Sequence, residues 1–415
     1  MYTKIDRCRV CGNRDLALVL DLGVQMLTGI FPKTADADVT RGPLQLLKCV
    51  GGDETCGLLQ LAHNYDFGEL YGDDYGYRSG LNRSMVTHLN HKVDRIARQV
   101  RLEKGDLVID IGANDGTTLR AYGDIGLTRV GIDPTAEKFK PFQPENVEFV
   151  ADFFSAALVR DRFGDRKAKV VTSFSMFYDL EAPMDFMRQV HEVLADDGIW
   201  VCEQSYMPSM LDTNSFDTVC HEHLEFYGLA QIKWMADRVG FRIVDVEFNA
   251  VNGGSFSVTL MKSGAAAADS AEVQRILAQE EAAGLGTLAP YRAFEQRALA
   301  ARADLLAFLE QARAQGKTVG ALGASTKGNV LLQYCGVTTA DIFAVGEVNP
   351  DKFGAVTPGT WLPIIPEREM LDRKPDYLLV LPWHFRDFFE KSHTFTGLNL
   401  VFPLPTLSIV SARAA

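Results

Sequence analysis

Short apolar runs alternate with helix-period stretches between about residues 80 and 262: DLVIDIG, TRVGIDP, VEFVADF, AKVVTSFSMF, GIWVCEQSY and FRIVDVEF. Apolar runs spaced by helical segments predict a mostly parallel sheet with helices on its faces. Leu229, Ile232, Trp234 and Met235, with Gly240 behind them, predict a helix packed on that sheet. From about residue 265 the texture changes. The Ala/Glu/Gln/Leu-rich stretch from Ala265 to Arg313 predicts helix, interrupted near Gly284 to Pro290, and a second β/α series follows in TVGALGAS, IFAVGEV, DYLLVLP and NLVFPLP. Before all this, short apolar runs are broken by Gly, Pro and Asp, with a cysteine pair at each end. The expectation is an α/β protein of three units, residues 1–70, 71–264 and 265–415.

Composition narrows the partners. Hydrophobic residues at 47% and charged residues at 23% of 415 are ordinary globular values. A net charge of -12 disfavours nucleic acid and anionic membranes, although a local basic pocket for one phosphate group stays open, so a small-molecule partner is expected. The start MYTKIDRCRVCG lacks a signal-peptide pattern and no apolar run approaches membrane-spanning length, which predicts a cytoplasmic protein. Nothing in the sequence fixes the oligomeric state, and a monomer is compatible with it.

Of seven cysteines, Cys8, Cys11, Cys49 and Cys56 fall early. In a reducing compartment such clustering suggests metal rather than disulfides. Cys8-x2-Cys11 followed by Gly12 suits two thiolates on one tetrahedral zinc, and Cys49 with Cys56 would close it as a structural site. VGGDET, between the second pair, is longer than the usual spacer, and unconnected buried thiols are the alternative.

LVIDIGANDGTTLR is a strand, a glycine turn and a helix start, with Asp110, Gly112, Asn114 and Gly116 in D-x-G-x-x-x-G rather than dinucleotide spacing. Asp133 ends the next strand, where it can take both ribose hydroxyls, and Asp152 ends the third with Phe153 available to pack on a base. Ser175, after the fourth run, joins this cofactor set. Acids at the ends of three successive strands resemble the class I S-adenosylmethionine-dependent methyltransferases, against a nicotinamide enzyme or a structural turn. The pocket is acidic where a pyrophosphate would want a free helix N-terminus.

DDYGYRSGLNRS carries Tyr75 and Tyr77 ahead of the core, as a lid or as an aromatic linker. VCHEHLEFY places His221, Glu222 and His223 after the fifth strand, at the sheet's ligand-binding edge. Metal ligation, a solvated loop and acid/base work compete for them; a histidine tuned by a carboxylate suits removal of a proton at neutral pH.

The ordered set of the cysteine pairs, Y-x-Y, DIGANDG, DFF, SFD...EH, VNGGSF and GALGASTKGN is similar to the nucleotide-sugar C-methyltransferases of deoxysugar biosynthesis, such as TDP-sugar C-3'-methyltransferases, over nearly the full length. The resemblance implies a zinc-binding lobe, a Rossmann-like methyltransferase core, a smaller Rossmann-like C-terminal domain, S-adenosyl-L-methionine as cofactor and structural zinc on the four cysteines. It implies His223 as the base with Glu222 beside it and the lid tyrosine at Tyr75 or Tyr77; His221 is expected as a secondary group near the substrate. Tyr178 stands where the family has a histidine, and Cys220-His221 replaces Tyr-Asp. Asn252 of VNGGSF, with Ser325, Thr326, Lys327, Asn329, Glu347 and Asn349, would hold the nucleotide sugar, Lys327 near its pyrophosphate; a glycine turn with an exposed lysine is the alternative. Rival functions are a sugar O- or N-methyltransferase and a non-catalytic nucleotide-sugar-binding protein.

Overall fold

A computed structural model describes residues 1–71, 78–264 and 270–412. The apolar runs of the middle segment form a seven-stranded sheet in the order 241–249, 255–262, 194–205, 168–174, 107–111, 128–132, 148–150. All neighbours are parallel except Ser255–Lys262, which runs antiparallel to both of its partners. The strand order reverses beside Leu107–Ile111, and such a reversal opens a crevice at the carboxyl ends of the strands. Both faces are covered, which is why the central strands read as unbroken apolar runs.

The second series forms a six-stranded sheet, 364–366, 345–347, 319–322, 377–380, 399–402, 408–411, parallel except for its last strand. Helices Ala271–Ala282 and Ala289–Ala314 flank the expected interruption.

The N-terminal sheet departs from the sequence-based division. Leu16–Met26, Arg41–Cys49 and Leu59–Leu61 pair antiparallel, and the edge strand on Leu59–Leu61 is Glu225–Phe226, supplied by the middle segment. The hydrophobic contacts also cross the divisions. Val19, Leu44 and Leu61 of the lobe share one core with Met207, Phe216 and Phe226 and with the C-terminal sheet, whereas the cysteines pack with the methyltransferase sheet. Helix Ala271–Ala282 lies on helix Leu229–Val239 and strand Phe241–Asn249. Its Glu280 accepts hydrogen bonds from the Leu229 and Ala230 amides at 2.6 and 2.9 Å, occupying amides that a helix start leaves open. Small units of few strands cannot each enclose a core, so they share one.

Candidate active site

The four early cysteines come together. Gly12, at φ +71, turns the first pair, and Cys8 to Cys56 and Cys11 to Cys49 are 3.5 and 3.6 Å apart at sulfur. All four sulfurs lie within 4.8 Å of one another. Zn–S bonds of about 2.3 Å require edges of roughly 3.8 Å, so the donor set fits one zinc with no open position. The six-residue loop reaches because Thr55 folds back onto the Gly52 carbonyl at 3.0 Å.

A cavity of about 340 Å³ opens at the carboxyl ends of the methyltransferase strands and is lined by Asp110, Gly112, Asn114, Asp133, Phe153 and Ser175. Gly112 and Asn114 take positive φ of 74° and 51°, which turns the loop back over the strand end. Asp133 is fixed by the Asn114 amide at 2.8 Å and the Thr135 amide and hydroxyl at 2.7 and 2.6 Å. Phe153 is 55% exposed and lines the cavity, where its ring can cover a base. Asp110 is held by the Thr172 hydroxyl, and burial pushes its carboxyl up to about 7.

Two residues expected here are elsewhere. Asp152 is exposed and accepts from the Phe153 amide at 2.7 Å, outside the lining. Gly116 is also outside it; at φ +77 it starts helix Thr117–Ala121, and a Cβ there would come within 2.5 Å of the Phe149 ring. The Asp115 carboxylate caps Thr117 and holds the Gly80 amide at 2.9 Å, while Asn114 takes the Ser79 amide at 3.0 Å. Tyr75 and Tyr77 lie outside the described residues.

Sequence reading missed the far wall of the cavity. Glu203 lines it, bound to His88 at 2.5 Å, Lys92 at 2.6 Å and Asn249 at 2.9 Å. Although burial pushes its carboxyl up, His88 and Lys92 hold it below the usual range. His88 and Lys92 stand four apart on helix Arg83–Gln99, so one face presents both; a lysine among the apolar positions of that face was the available signal. Tyr71 and Asp179 also line the cavity.

His223 is turned toward the C-terminal unit. Its Nδ1 lies 3.0 Å from the Thr218 carbonyl, which can only accept, so Nδ1 carries the proton and Nε2 is the basic nitrogen. Burial and the nearby Lys327 charge push it down to about 4, so the ring is neutral at pH 7. Tyr178, buried, meets it edge-on at 4.5 Å between ring centroids, and the pair lines a small cleft with Thr218, Ser205 and Glu225.

Adjacent residues diverge. Glu222 does not hold His223: its carboxylate faces Gly29, where a Cβ would collide with it, and is bonded by Cys220, burial pushing the carboxyl up. His221 lies deeper still, fully buried with Nδ1 3.4 Å from the Thr28 hydroxyl and its ring edge-on to Tyr65 at 4.6 Å. Burial pushes it down to about 3, and it lines neither cavity, so it packs the lobe against the core instead of flanking a ligand.

The GALGASTKGN loop meets this region from the other side. Thr326 is near Gly29 and Glu222, and Lys327, lowered by burial, is attracted by Asp217 and Cys220. Asp217 accepts from Trp383 Nε1 at 2.8 Å, and burial and Lys327 push His384 down to about 3; His384 and Trp383 are further residues of this junction that the sequence did not flag. The other predicted sugar residues are engaged locally. Ser325 caps its helix through the Gly328 amide at 3.1 Å, and Asn329 is buried, donating to the Thr28 carbonyl at 2.8 Å. Glu347 accepts from the Val348 and Asn349 amides at 2.7 and 2.8 Å, and Asn349 from the Asp351 amide at 3.1 Å. Asn252 sits in the turn Val251–Gly253, and its side chain is outside the described atoms. Among the described residues, no helix is long and apolar enough to cross a membrane.

Three family descriptions match in sequence: "Putative zinc binding domain" over residues 8–71, "Methyltransferase domain" over 81–246 and "C-methyltransferase C-terminal domain" over 250–405. C-methyltransferase NovU of Streptomyces niveus is 30% identical over 420 residues, covering 99% of this chain and 98% of that protein. Among solved structures, a chain of the Haloferax volcanii Trm112 methyltransferase-activator complex is 15% identical, covering 45% of this chain and 95% of its own, at TM-score 0.37. The CcbJ methyltransferase of Streptomyces caelestis is 14% identical, covering 42% and 90%, at 0.34.

Proposed function

Because the chain belongs to the C-methyltransferase family and is an S-adenosylmethionine-dependent C-methyltransferase, we propose that it methylates a nucleotide-linked 4-keto-6-deoxy sugar at C-3', the carbon beside the ketone, after His223 removes the proton there. The observation that carries this reading is the junction where His223, a neutral imidazole with its basic nitrogen defined by Thr218, meets the Lys327 cation of the C-terminal unit. A base beside a fixed cation suits a substrate with an acidic C–H at one end and a diphosphate at the other.

When bound, S-adenosylmethionine supplies an electrophilic methyl. Asp133 would take the ribose hydroxyls, Phe153 would cover the adenine, and the loop through Gly112 and Asn114 would follow the amino acid end. Zinc on Cys8, Cys11, Cys49 and Cys56 would hold the lobe against the sheet. Of the predicted sugar contacts, Lys327 and Thr326 fit best; Ser325, Asn329, Glu347 and Asn349 shape the loops around them. His223 receives the proton on Nε2 while Lys327 anchors the far end of the substrate, which brings the carbon to near-attack distance, about 3 to 3.5 Å.

Incubation with labelled S-adenosylmethionine and a panel of TDP-, GDP- and CDP-linked 4-keto-6-deoxy sugars, with NMR location of the label, tests this. Label on the carbon beside the ketone is expected. Label on oxygen or nitrogen, or on no member of the panel, would overturn the sugar reading and leave the methyltransferase assignment standing.

A further inference from the structure

The cofactor cavity and the His223 cleft are separated by one short turn, Phe177–Asp179, and its consecutive residues face different ways. The Tyr178 ring meets His223 at 4.5 Å, and the Tyr178 carbonyl holds the Leu224 amide at 2.8 Å. Asp179 instead lines the cofactor cavity. It stands on the fourth-strand side of Asp110, whereas Asp133 and Phe153 belong to strands on the opposite side. With the adenosine at Asp133 and Phe153, Asp179 is left at the methyl-transfer end, one residue from the contact to the base.

Its hydrogen bonding is incomplete. Tyr71 donates its hydroxyl to Asp179 Oδ2 at 2.8 Å, while Oδ1 is buried and has no partner among the described residues. A buried carboxyl oxygen without a partner is costly unless it carries a proton or meets a ligand. The surroundings favour the proton. Glu222 adds like charge beside Asp179, while the neighbouring Glu225, 3.8 Å from Arg9, has its own carboxyl pushed well up by burial. Burial and the Glu222 charge both push the Asp179 carboxyl well up from its usual range. Since Oδ2 already accepts from Tyr71, the proton resides on Oδ1.

We propose that Asp179 is a catalytic residue whose Oδ1–H donates to the substrate oxygen adjoining the carbon that is methylated. The proposal rests on the reading of an enolisable substrate. His223 takes the C–H proton, the C–H pair becomes a C=C bond, and the carbonyl π pair moves to oxygen, where the Asp179 O–H meets it. The carbon pair then forms the bond to methyl, the C–S pair stays on sulfur, and the carbonyl reforms with the proton still on Asp179. The donor therefore stabilises charge only while it exists on oxygen.

Three measurements on the full-length zinc-loaded protein test this. Infrared difference spectra of the parent against Asp179→Asn at pH 7 should show a protonated-carboxyl carbonyl band, and an ionised carboxylate there would overturn the proposal. S-adenosylhomocysteine affinity by calorimetry should stay within about 3-fold in Asp179→Asn, because no ion pair to the cofactor is lost; a loss above about 30-fold would make Asp179 the partner of the cofactor's ammonium instead, by the usual strength of charged hydrogen bonds. With TDP-4-keto-6-deoxyglucose, Asp179→Ala should lose roughly 10²- to 10³-fold in kcat, the usual cost of one oxyanion donor. Asp179→Asn, which keeps an N–H donor, and Tyr71→Phe, which keeps the carboxyl, should each lose less. Equal losses in the alanine and asparagine variants with unchanged S-adenosylhomocysteine affinity would overturn it. If the parent methylates no sugar of the panel, the substrate reading falls, while the infrared and calorimetric arms still decide whether Asp179 is a protonated group apart from the cofactor.

Discussion

Two strand, glycine-turn and helix units face the middle of the molecule, one after Leu107–Ile111 and one after Val319–Leu322, and they present opposite chemistry. The first enters its helix through Gly116 in the left-handed region and is ringed by Asp110 and Asp133. The second enters through Ser325 in extended conformation, whose hydroxyl closes the helix start, and carries Lys327. A shared local topology therefore says little about the ligand. Acids around the first suit a cofactor bearing positive charge and sugar hydroxyls but no phosphate; at the second, Ser325 caps the Gly328 amide, so the lysine is the group suited to an anion. His223 lies between them.

The largest expected effect falls on that middle ground. His223→Asn should lose about 10²- to 10⁴-fold in methyl transfer to the accepted sugar, with S-adenosylhomocysteine affinity unchanged by calorimetry. Unchanged turnover would move the base elsewhere, with Tyr178 next to test. A second effect concerns the buried wall. His221 is held at about 3 in the folded protein against about 6.5 unfolded, so the folded state binds fewer protons and its contribution is lost as pH falls from 6.5 toward 3. Relative to His221→Asn, the parent should give up about 2 to 3 kcal/mol between pH 7 and 4.5, read from paired denaturation curves. A constant gap would mean that water reaches the ring.

The two loops themselves should separate cleanly. Asp133→Ala should weaken S-adenosylhomocysteine by about 1.5 to 3 kcal/mol and leave nucleoside diphosphate affinity alone, and Lys327→Ala should do the reverse by a similar amount. Additivity in the double variant would show that the loops act on different ligands. Coupling above about 1 kcal/mol would mean that they share one. The smallest change is expected from Glu222→Gln, within about 3-fold in kcat, because Glu222 faces Gly29 and Cys220 and does not touch His223. A loss comparable to that of His223→Asn would restore Glu222 as its partner.

Local features were legible in the sequence. The glycine turn and Asp110 depend on spacing within one strand–turn unit, Asp133 and Phe153 on their places after the next two strands, and the cysteines on two short-range pairs, and such spacing survives in a sequence. Side-chain direction does not. Glu222 and His223 are neighbours along the chain, yet the irregular segment turns them to different partners. Polar turn residues were equally ambiguous: Ser325, Glu347 and Asn349 look like ligand contacts, and each satisfies its own backbone, a competition that Ser, Asn and acidic side chains at turns commonly enter. Glu203 with His88, Asp179 with Tyr71 and Asp217 with Trp383 join residues 115, 108 and 166 positions apart, beyond any motif.

The edge strand Glu225–Phe226 completes the N-terminal sheet only two residues after His223. Mechanically, the zinc lobe is thus a clamp on the segment that carries His223, and strain in the lobe would be transmitted to it through the Gln60 and Leu59 pairing. Exchanging this lobe between relatives as an interchangeable cassette would break that pairing unless residues 220–227 travelled with it. Chimeras that cut at residue 71 should accordingly bind zinc and cofactor yet turn over slowly, and moving the short strand along with the lobe should recover the rate.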